Sequence, residues 1–249
     1  MRIVIIIPTY NERASIKALL ETCVRSVFPK IAHEMRILVV DGNSPDGTAE
    51  SVSKLAATHR EIFLLKERKK RGIGAAYAAG IRHAIEILHA DAIVEFDGDG
   101  QHNPADIPRL ISEFDKGFDL VIGSRYVQGG SIPKEWAFWR KALSRFGGLF
   151  AKAVLHLPTN DNTSGFKLTR VKGFGEHLPL EEPYLLSRYY AYKIQFLHEL
   201  IRRKARVAEI PIAFRERQNG TSKNTMRDIL DSLRIVLQLR FAKPLPARE

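Results

Sequence analysis

The sequence predicts an α/β fold in which a mostly parallel sheet is flanked by helices. Short runs rich in β-branched residues alternate with segments of helical periodicity along the first half of the chain, which is typical of parallel sheets covered on both faces. Polar clusters follow most of these runs, at the strand ends where open α/β sheets bind ligands. The 249 residues suffice for one large domain, or for one domain with a small appendage.

Each predicted strand is a short apolar run. The runs span residues 2–7, 36–40, 62–65, 92–96 and 120–122, with a later one near 207–214. The first helix is predicted from Asn11, as its N-cap, to a point before Pro29, because apolar residues recur there at a spacing of 3.6. The next helices are predicted over 48–59, 74–89 and 104–116. After residue 126 we expect a long helix, a loop over 161–167, another helix, the late strand and a terminal helix.

Charge and cysteine content narrow the class of protein. The formal net charge is +11, so we expect an anionic partner such as a nucleotide, a phosphorylated substrate, a nucleic acid or an acidic lipid surface. Cys23 is the single cysteine, which excludes a disulfide framework and a cysteine-based zinc site and is consistent with a reducing compartment. The apolar run 3–7 is much shorter than the ~20 residues that span a bilayer.

An acidic, glycine-rich loop follows the fourth predicted strand. Asp97, Asp99 and Gln101 alternate there with Gly98 and Gly100, which concentrates hard oxygen ligands where a backbone can approach closely. Such ligands suit Mg²⁺ or Mn²⁺ bound to a diphosphate. An ordinary acidic turn is the alternative, because aspartate and glycine are also common turn residues.

Polar clusters also follow the first, second and fifth predicted strands, at 8–12, 41–48 and 123–126. Since the carboxyl ends of parallel strands meet at one edge of a sheet, we expect these clusters to lie beside the acidic loop. The glycines of segment 72–80 follow the third predicted strand instead of the first, and the third glycine is misplaced for a dinucleotide fingerprint. We therefore interpret that segment as a closely packed helix start.

Taken together, the motifs resemble those of the inverting family-2 glycosyltransferases, and among them the dolichol-phosphate (polyprenyl-phosphate) mannose synthases. The residues that carry the resemblance are PTYNE (8–12), DGNSPDGT (41–48), RGIGAAYAAG (71–80), DGDGQHNP (97–104), GSRY (123–126), Arg140 with Ser144, DNTSGFK (161–167), EIPI (209–212) and RQNGTSK (217–223). The resemblance implies a GT-A fold, a nucleotide-sugar donor, a lipid-phosphate acceptor and a Mg²⁺ or Mn²⁺ cofactor.

The resemblance also implies a role for particular residues. Metal binding is implied for Asp97, Asp99 and Gln101, with Asp97 acting through backbone or solvent-bridged contacts. Nucleotide-sugar binding is implied for Pro8, Tyr10, Glu12, Asp41, Asp46, Arg71, Asp97, Arg217 and Lys223. Acceptor-phosphate binding is implied for Arg125, Arg140, Ser144 and Ser222. The expected catalytic set is Asp97, Asp99, Gln101, Arg125 and Arg217.

The expected organisation is a GT-A glycosyltransferase domain over residues 1–215, followed by a closing loop and a C-terminal amphipathic helix over 216–249. Segment 132–157 alternates aromatic residues, including Trp136, Phe138 and Trp139, with basic residues. That pattern predicts an interfacial helix on the cytoplasmic face of a membrane. A core helix with a solvated face is the alternative.

The leading interpretation is transfer of mannose from GDP-mannose to dolichyl or polyprenyl phosphate. The sequence leaves open UDP-glucose or a UDP-N-acetylhexosamine as the donor, and recruitment by a small membrane-anchoring partner. A basic nucleic-acid-binding protein would explain the charge. It would not explain the acidic loop, which repels phosphates unless a metal is bound, so we expect no nucleic-acid partner.

Overall fold

The computed structural model describes residues 1–216 and 226–241. Within these residues, seven strands form one sheet with the spatial order β3-β2-β1-β4-β6-β5-β7. The strands are β1 (Arg2–Thr9), β2 (Glu34–Asp41), β3 (Ile62–Lys66), β4 (Ala92–Glu95), β5 (Leu120–Ser124), β6 (Lys167–Arg170) and β7 (Val207–Pro211). All neighbouring strands are parallel except the pairs that include β6, which is antiparallel to both β4 and β5. The predicted mostly parallel sheet is confirmed.

Strand β6 was not among the predicted strands. This four-residue strand lies between β4 and β5 and begins and ends with cations, Lys167 and Arg170, so it lacks an apolar run. Lys167 is buried nevertheless, because its Nζ lies 3.9 Å from Oε1 of Glu95 on the neighbouring strand. The carboxylate of Glu95, which is distant in sequence, therefore compensates the charge of Lys167, and the sequence of β6 alone does not show this partner.

Seven α-helices are described, and several match their predicted positions. They are α1 (Arg13–Thr22), α2 (Thr48–Ala56), α3 (Ile73–Glu86), α4 (Ile107–Phe114), α5 (Phe138–Leu155), α6 (Tyr192–Arg202) and α7 (Met226–Phe241). The N-cap prediction for α1 was wrong, because Glu12 is the N-cap and Asn11 has a left-handed φ of 58°. Regular helix also ends earlier than predicted, and a π-helical turn at Cys23–Val27 and a 3₁₀ turn at Phe28–Lys30 follow it.

The core has two layers, one on each face of the sheet. Along β1, Val4 and Ile6 face the layer that α3, α5, α6 and α7 cover. Ile3, Ile5 and Ile7 face the layer that α1, α2 and α4 cover. Burial on both faces explains why the central strands are continuous apolar runs instead of alternating patterns.

Helix α7 packs against α5 and α6, and its Ile235 and Val236 are buried. The predicted C-terminal helix is thus present and contacts the body of the protein, whereas the predicted domain boundary at residue 215 stays a prediction. In the part of the chain that the structure describes, no helix is both long enough and apolar enough to cross a bilayer.

Candidate active site

The strand ends that carry the predicted polar clusters meet at one edge of the sheet. Thr9 at the end of β1 lies opposite Asp41 at the end of β2, and Ile6 of β1 pairs with Glu95 at the end of β4. The acidic loop that begins at Asp97 follows directly. This edge forms the floor of the candidate site.

Asp41 organises the loop after β2. Its carboxylate is fully buried and accepts hydrogen bonds from Thr9 Oγ1 at 3.1 Å and from the backbone N and Oγ of Ser44 at 2.9 and 2.6 Å. Buried carboxylates require such partners, because desolvation is otherwise costly. Asp41 thereby fixes the loop 41–48 against β1.

Asp46 links the same loop to two helix starts. Its carboxylate accepts hydrogen bonds from the backbone N and Oγ1 of Thr48 at the start of α2, at 3.0 and 2.5 Å, and from Arg13 N at the start of α1, at 3.1 Å. Burial acts to raise the pKa of Asp46, but these hydrogen bonds outweigh it and the pKa is lowered. Glu12 N in turn donates to Thr48 Oγ1 at 3.1 Å, so the predicted donor-site residues share one framework.

Two further predicted donor-site residues, Tyr10 and Arg71, each contact a charged side chain. Tyr10 lies under Lys70, whose Nζ is 3.9 Å from the ring centroid. Arg71 does not extend alone toward the site, because its guanidinium donates to the carboxylate of Glu67, which is buried. The predicted residues Arg217, Ser222 and Lys223 lie outside the described residues.

Asp97 is the most constrained member of the acidic loop. Tyr77 of α3 donates its hydroxyl to Oδ1 at 2.8 Å, and Lys193 of α6 donates from Nζ to Oδ2 at 3.2 Å. Burial acts to raise the pKa of Asp97, but the charge of Lys193 and these hydrogen bonds outweigh it, so the pKa is lowered. Asp97 is therefore ionised at neutral pH and bonded at both oxygens.

Asp99 and Gln101 are half-buried at the rim of the edge. Asp99 Oδ1 accepts from Gln101 N at 3.1 Å, and Gln101 Nε2 donates to the carbonyl of Arg215 at 3.1 Å. Arg215 N returns a bond to the Gln101 carbonyl at 2.9 Å. The acidic loop is thus fastened to the segment after β7, directly before residues 217–225.

The oxygen donors at this rim fit a divalent ion that shares its ligands with a substrate. No cluster of three or more histidine, cysteine, aspartate or glutamate side chains capable of holding a metal occurs within residues 1–216 and 226–241. Mg²⁺ in nucleotide sites is usually bound by one or two carboxylates together with phosphates and water. One carboxylate from Asp99 and one amide oxygen from Gln101 match that requirement.

His102 follows the acidic loop and serves as packing. Its imidazole is buried, and its ring centroid lies 5.0–5.8 Å from those of Phe96, Phe166 and Phe214. Burial lowers the pKa of His102 to about 4, so the ring is neutral at physiological pH. Its environment agrees with a residue that shapes the loop.

Two of the predicted acceptor residues, Arg125 and Ser144, contact Tyr126, which follows β5. The Tyr126 hydroxyl lies 2.7 Å from Ser144 Oγ of α5, and the guanidinium carbons of Arg125 and Arg145 lie 5.3 and 5.1 Å from its ring centroid. Arg140 is one helical turn before Ser144 and stacks on Trp136 at 4.0 Å. Neither Tyr126 nor Arg145 was predicted as an acceptor-site residue, although Tyr126 belongs to the quoted GSRY motif.

Arg125 has a second, unpredicted partner. Its Nε and Nη2 each lie 2.7 Å from an oxygen of Asp161, and Nη2 also donates to Thr163 Oγ1 at 2.8 Å. Burial acts to lower the pKa of Arg125, but Asp161 outweighs it and the pKa is raised. Arg125 therefore anchors the loop 161–166 beside the site as a permanent cation.

The prediction for Trp136 was wrong. It was expected to insert into a membrane, but its side chain is buried, with its ring 5.9 Å from that of Phe214. Its neighbours Phe138 and Trp139 are 86% and 68% exposed. The difference arises because Trp136 precedes α5 and turns inward toward the segment after β7.

Comparison with known proteins identifies relatives over most of the chain. The sequence profile of glycosyl transferase family 2 matches residues 4–178. The undecaprenyl-phosphate mannosyltransferase of Micrococcus luteus is 37% identical over 223 residues, which cover 90% of this chain and 87% of that protein. The polyprenol monophosphomannose synthase of Mycolicibacterium smegmatis is 34% identical over 233 residues, covering 93% and 84%.

Solved structures share the fold at lower identity. Glucosyl-3-phosphoglycerate synthase from Mycobacterium tuberculosis, in complex with UDP, superposes with a TM-score of 0.66 at 16% identity, covering 97% of this chain and 79% of that one. A structure of the same enzyme with Mn²⁺, UDP and glucosyl-3-phosphoglycerate gives 0.64 at 17% identity, covering 98% and 81%. This likeness confirms the predicted GT-A type architecture.

Proposed function

The chain belongs to glycosyl transferase family 2 and is a glycosyltransferase, and we propose that it moves mannose from GDP-mannose to a polyprenyl phosphate with inversion at the anomeric carbon. The observation that carries this proposal is the meeting of two unlike charge clusters at one sheet edge. An acidic loop with Asp99 lies after β4, and a basic group with Arg125 and Arg140 lies after β5 and on α5. The mannosyltransferase relatives support the sugar and the lipid acceptor.

The donor half of the site is assigned to the ends of β1, β2 and β4. Asp41 and Asp46 fix the loop beside the nucleotide, while Pro8, Tyr10 and Glu12 border it, and Arg71, Arg217 and Lys223 complete the predicted donor set. A Mg²⁺ or Mn²⁺ ion bound by Asp99 and Gln101, with Asp97 behind them, would offset the charge that develops on the leaving diphosphate. The Mn²⁺ in the M. tuberculosis enzyme supports a divalent cofactor.

The acceptor half is assigned to Arg125, Arg140 and Ser144, with Ser222 from the segment outside the described residues. A phosphomonoester has a second pKa near ~6 and is largely dianionic at neutral pH. It therefore needs positioning more than it needs a base to attack the anomeric carbon. Arginine supplies that positioning through charge-assisted hydrogen bonds that hold two phosphate groups close together.

The lipid acceptor is reached from a membrane surface on the cytoplasmic side. Helix α5 supports this part of the proposal, since Phe138, Trp139 and Phe146 are exposed on a helix that also carries Lys141 and Arg145. Apolar and basic residues on one exposed surface are typical of peripheral membrane helices. Recruitment by a small membrane partner is the competing route.

A binding screen with transfer assay tests the proposal. GDP-mannose, UDP-glucose and UDP-N-acetylglucosamine would each be titrated with Mn²⁺ present and then incubated with undecaprenyl phosphate. We expect GDP-mannose to bind most tightly and to yield a mannosylated lipid with the anomeric configuration inverted. Tighter binding of a UDP-sugar, with transfer from it, would identify that UDP-sugar as the donor instead of GDP-mannose. Tight binding of random oligonucleotides that weakens steeply with salt would favour the nucleic-acid alternative.

A further inference from the structure

Lys193 is a buried cation beside the acidic loop, and none of the roles above uses it. Its Nζ lies 3.2 Å from Asp97 Oδ2, and the two side chains are 6% and 16% exposed. The other oxygen of Asp97 accepts from the Tyr77 hydroxyl at 2.8 Å. Donors from α3 and α6 therefore occupy both oxygens of the carboxylate that begins the loop.

Lys193 belongs to a balanced set of buried charges. Lys167 Nζ lies 3.9 Å from Glu95 Oε1 and donates to the Lys193 carbonyl at 3.4 Å. Glu95 Oε2 accepts from the Tyr192 hydroxyl at 2.9 Å. Two carboxylates thus face two ammonium groups, which agrees with the rule that buried charges occur with partners. Within this set, the negative charge of Asp97 is already neutralised by protein.

Space around the pair is also limited. Gly165 lies against it, and a Cβ at this position would be 2.5 Å from Lys193 Nζ and in collision with Asp97 Oδ2. The loop 161–166, which the Arg125 to Asp161 ion pair anchors, thus closes one side of Asp97. The carboxylate has little room to swing away from Lys193 on that side.

These contacts bear on how a divalent ion is bound. A direct bond from Asp97 Oδ2 to the ion would place two cations on one oxygen, and their repulsion is strong in a buried site. We propose that Lys193 is a positioning residue that neutralises Asp97 and keeps its carboxylate out of direct contact with the ion, so that Asp99 and Gln101 are the protein ligands. This inference rests on the proposed metal dependence of the transferase.

Removing the whole pair separates this inference from direct ligation by Asp97. The double variant Lys193→Met with Asp97→Asn removes both charges together, and replacing a complete buried ion pair by neutral groups is often tolerated. Mn²⁺ binding to the full chain would be measured by electron paramagnetic resonance of the free ion, with GDP present because the proposed site shares the ion with a diphosphate, and with GDP alone as the blank. Lys167→Met with Glu95→Gln is the matched control, because it removes the neighbouring buried pair.

We expect the double variant and the control to bind Mn²⁺ within about threefold of the native affinity, and Asp99→Asn to lose about tenfold or more. Lys193→Met alone should bind Mn²⁺ more tightly, because the released Asp97 carboxylate then faces the ion. A tenfold loss in the double variant, with the control unchanged, would make Asp97 a direct ligand and overturn the inference while leaving metal dependence intact. A native chain that binds no Mn²⁺ would overturn both.

Discussion

Arg125 and Asp161 form a buried two-point ion pair at the centre of the candidate acceptor site. Nε and Nη2 of Arg125 each lie 2.7 Å from a different oxygen of Asp161, and the side chains are 8% and 0% exposed. Asp161 also accepts from the backbone N of Arg125 at 2.9 Å. The pair therefore joins the end of β5 to the loop 161–166, which in turn borders Asp97.

Breaking this pair should destabilise the protein strongly. Asp161→Asn leaves the guanidinium buried without its counter-charge, which costs about 3–5 kcal/mol in the free energy of unfolding. The control is Asp115→Asn. The Asp115 side chain is 45% exposed and pairs with His33, so we expect this variant to lose about 1 kcal/mol or less in the free energy of unfolding. Urea unfolding measures both. Equal small losses would contradict the structural role of Asp161.

The stability that the Arg125 to Asp161 pair contributes should depend on pH. Burial acts to raise the pKa of Asp161, but Arg125 outweighs it and holds that pKa below its ordinary value of 3.8. The pair therefore contributes its full stability above the unfolded pKa, and that contribution is lost as the pH falls through the lower folded value. The difference in stability between native and Asp161→Asn chains should accordingly shrink below about pH 4.

The sequence predicted the sheet well where its strands are local apolar patterns. The run from Ile3 to Ile7 is buried on both faces of the sheet, so its composition alone identifies it. Strand β6 was missed because Lys167 is stabilised by Glu95, a partner that is far away in sequence. Composition within four residues cannot reveal a charge that another strand compensates.

For the candidate site, the sequence likewise predicted which loops converge but not which side chains pair. The convergence of the acidic loop with the ends of β1 and β2 follows from parallel topology, which the sequence pattern indicates. The partners of individual side chains do not follow from the topology. Lys193 is 96 positions from Asp97, and Asp161 is 36 positions from Arg125, so only the folded chain reveals these pairs. The same applies to Trp136, whose burial depends on Phe214.

Asp99 should carry metal-dependent nucleotide binding. Asp99→Ala removes a carboxylate proposed to bind the metal at the rim of the site, so the affinity for GDP with Mn²⁺ should fall about tenfold or more, on the order of 1.4 kcal/mol. Calorimetry measures the change, and Asp115→Ala on a distant surface is the control. An unchanged affinity that still requires Mn²⁺ would show that other groups bind the ion.

Arg140 should serve the acceptor and not the donor. Arg140→Ala removes a charge-assisted hydrogen bond to phosphate, worth about 1.5–3 kcal/mol, so turnover with polyprenyl phosphate should fall roughly tenfold or more. GDP-mannose affinity should stay within about twofold, since the guanidinium acts when the second phosphate arrives. Lys116→Ala is the control, because Lys116 follows α4, has no assigned role, and donates from Nζ to Glu113 Oε2 at 2.6 Å. Equal losses of donor affinity and turnover would reassign Arg140.

Gly165 should tolerate no side chain. Gly165→Ala forces a methyl group against Asp97 and Lys193, and overpacking of this kind costs about 1–3 kcal/mol of unfolding free energy. Gly147→Ala in α5 is the matched control, because a Cβ there meets nothing within 4 Å. Alanine favours helix over glycine by roughly 0.5–1 kcal/mol, so the control should be slightly stabilised. A stable Gly165→Ala chain with native Mn²⁺ affinity would contradict the crowding described around the ion pair.

Membrane binding should depend on the exposed surface of α5. Phe138, Trp139 and Phe146 are 86%, 68% and 70% exposed, while the basic residues along and just before the helix can meet anionic headgroups. Each cation near such a surface contributes about 1 kcal/mol, and the aromatic side chains add buried apolar area. Several together should give stable peripheral binding to vesicles that contain anionic lipid, and that binding should weaken as salt is raised.

The decisive variant exchanges Phe138 and Trp139 for serine and leaves Trp136 in place, because Trp136 packs inside the protein. Co-sedimentation with anionic vesicles should drop sharply in this variant, while urea unfolding stays near native because the two rings contribute little to the core. Ile87→Ser is the matched control, since Ile87 is 60% exposed directly after α3 and carries no predicted contact with lipid. If the native chain stays in the supernatant with anionic vesicles at low salt, α5 alone does not bind the membrane and a separate membrane partner must bring the enzyme to its lipid substrate.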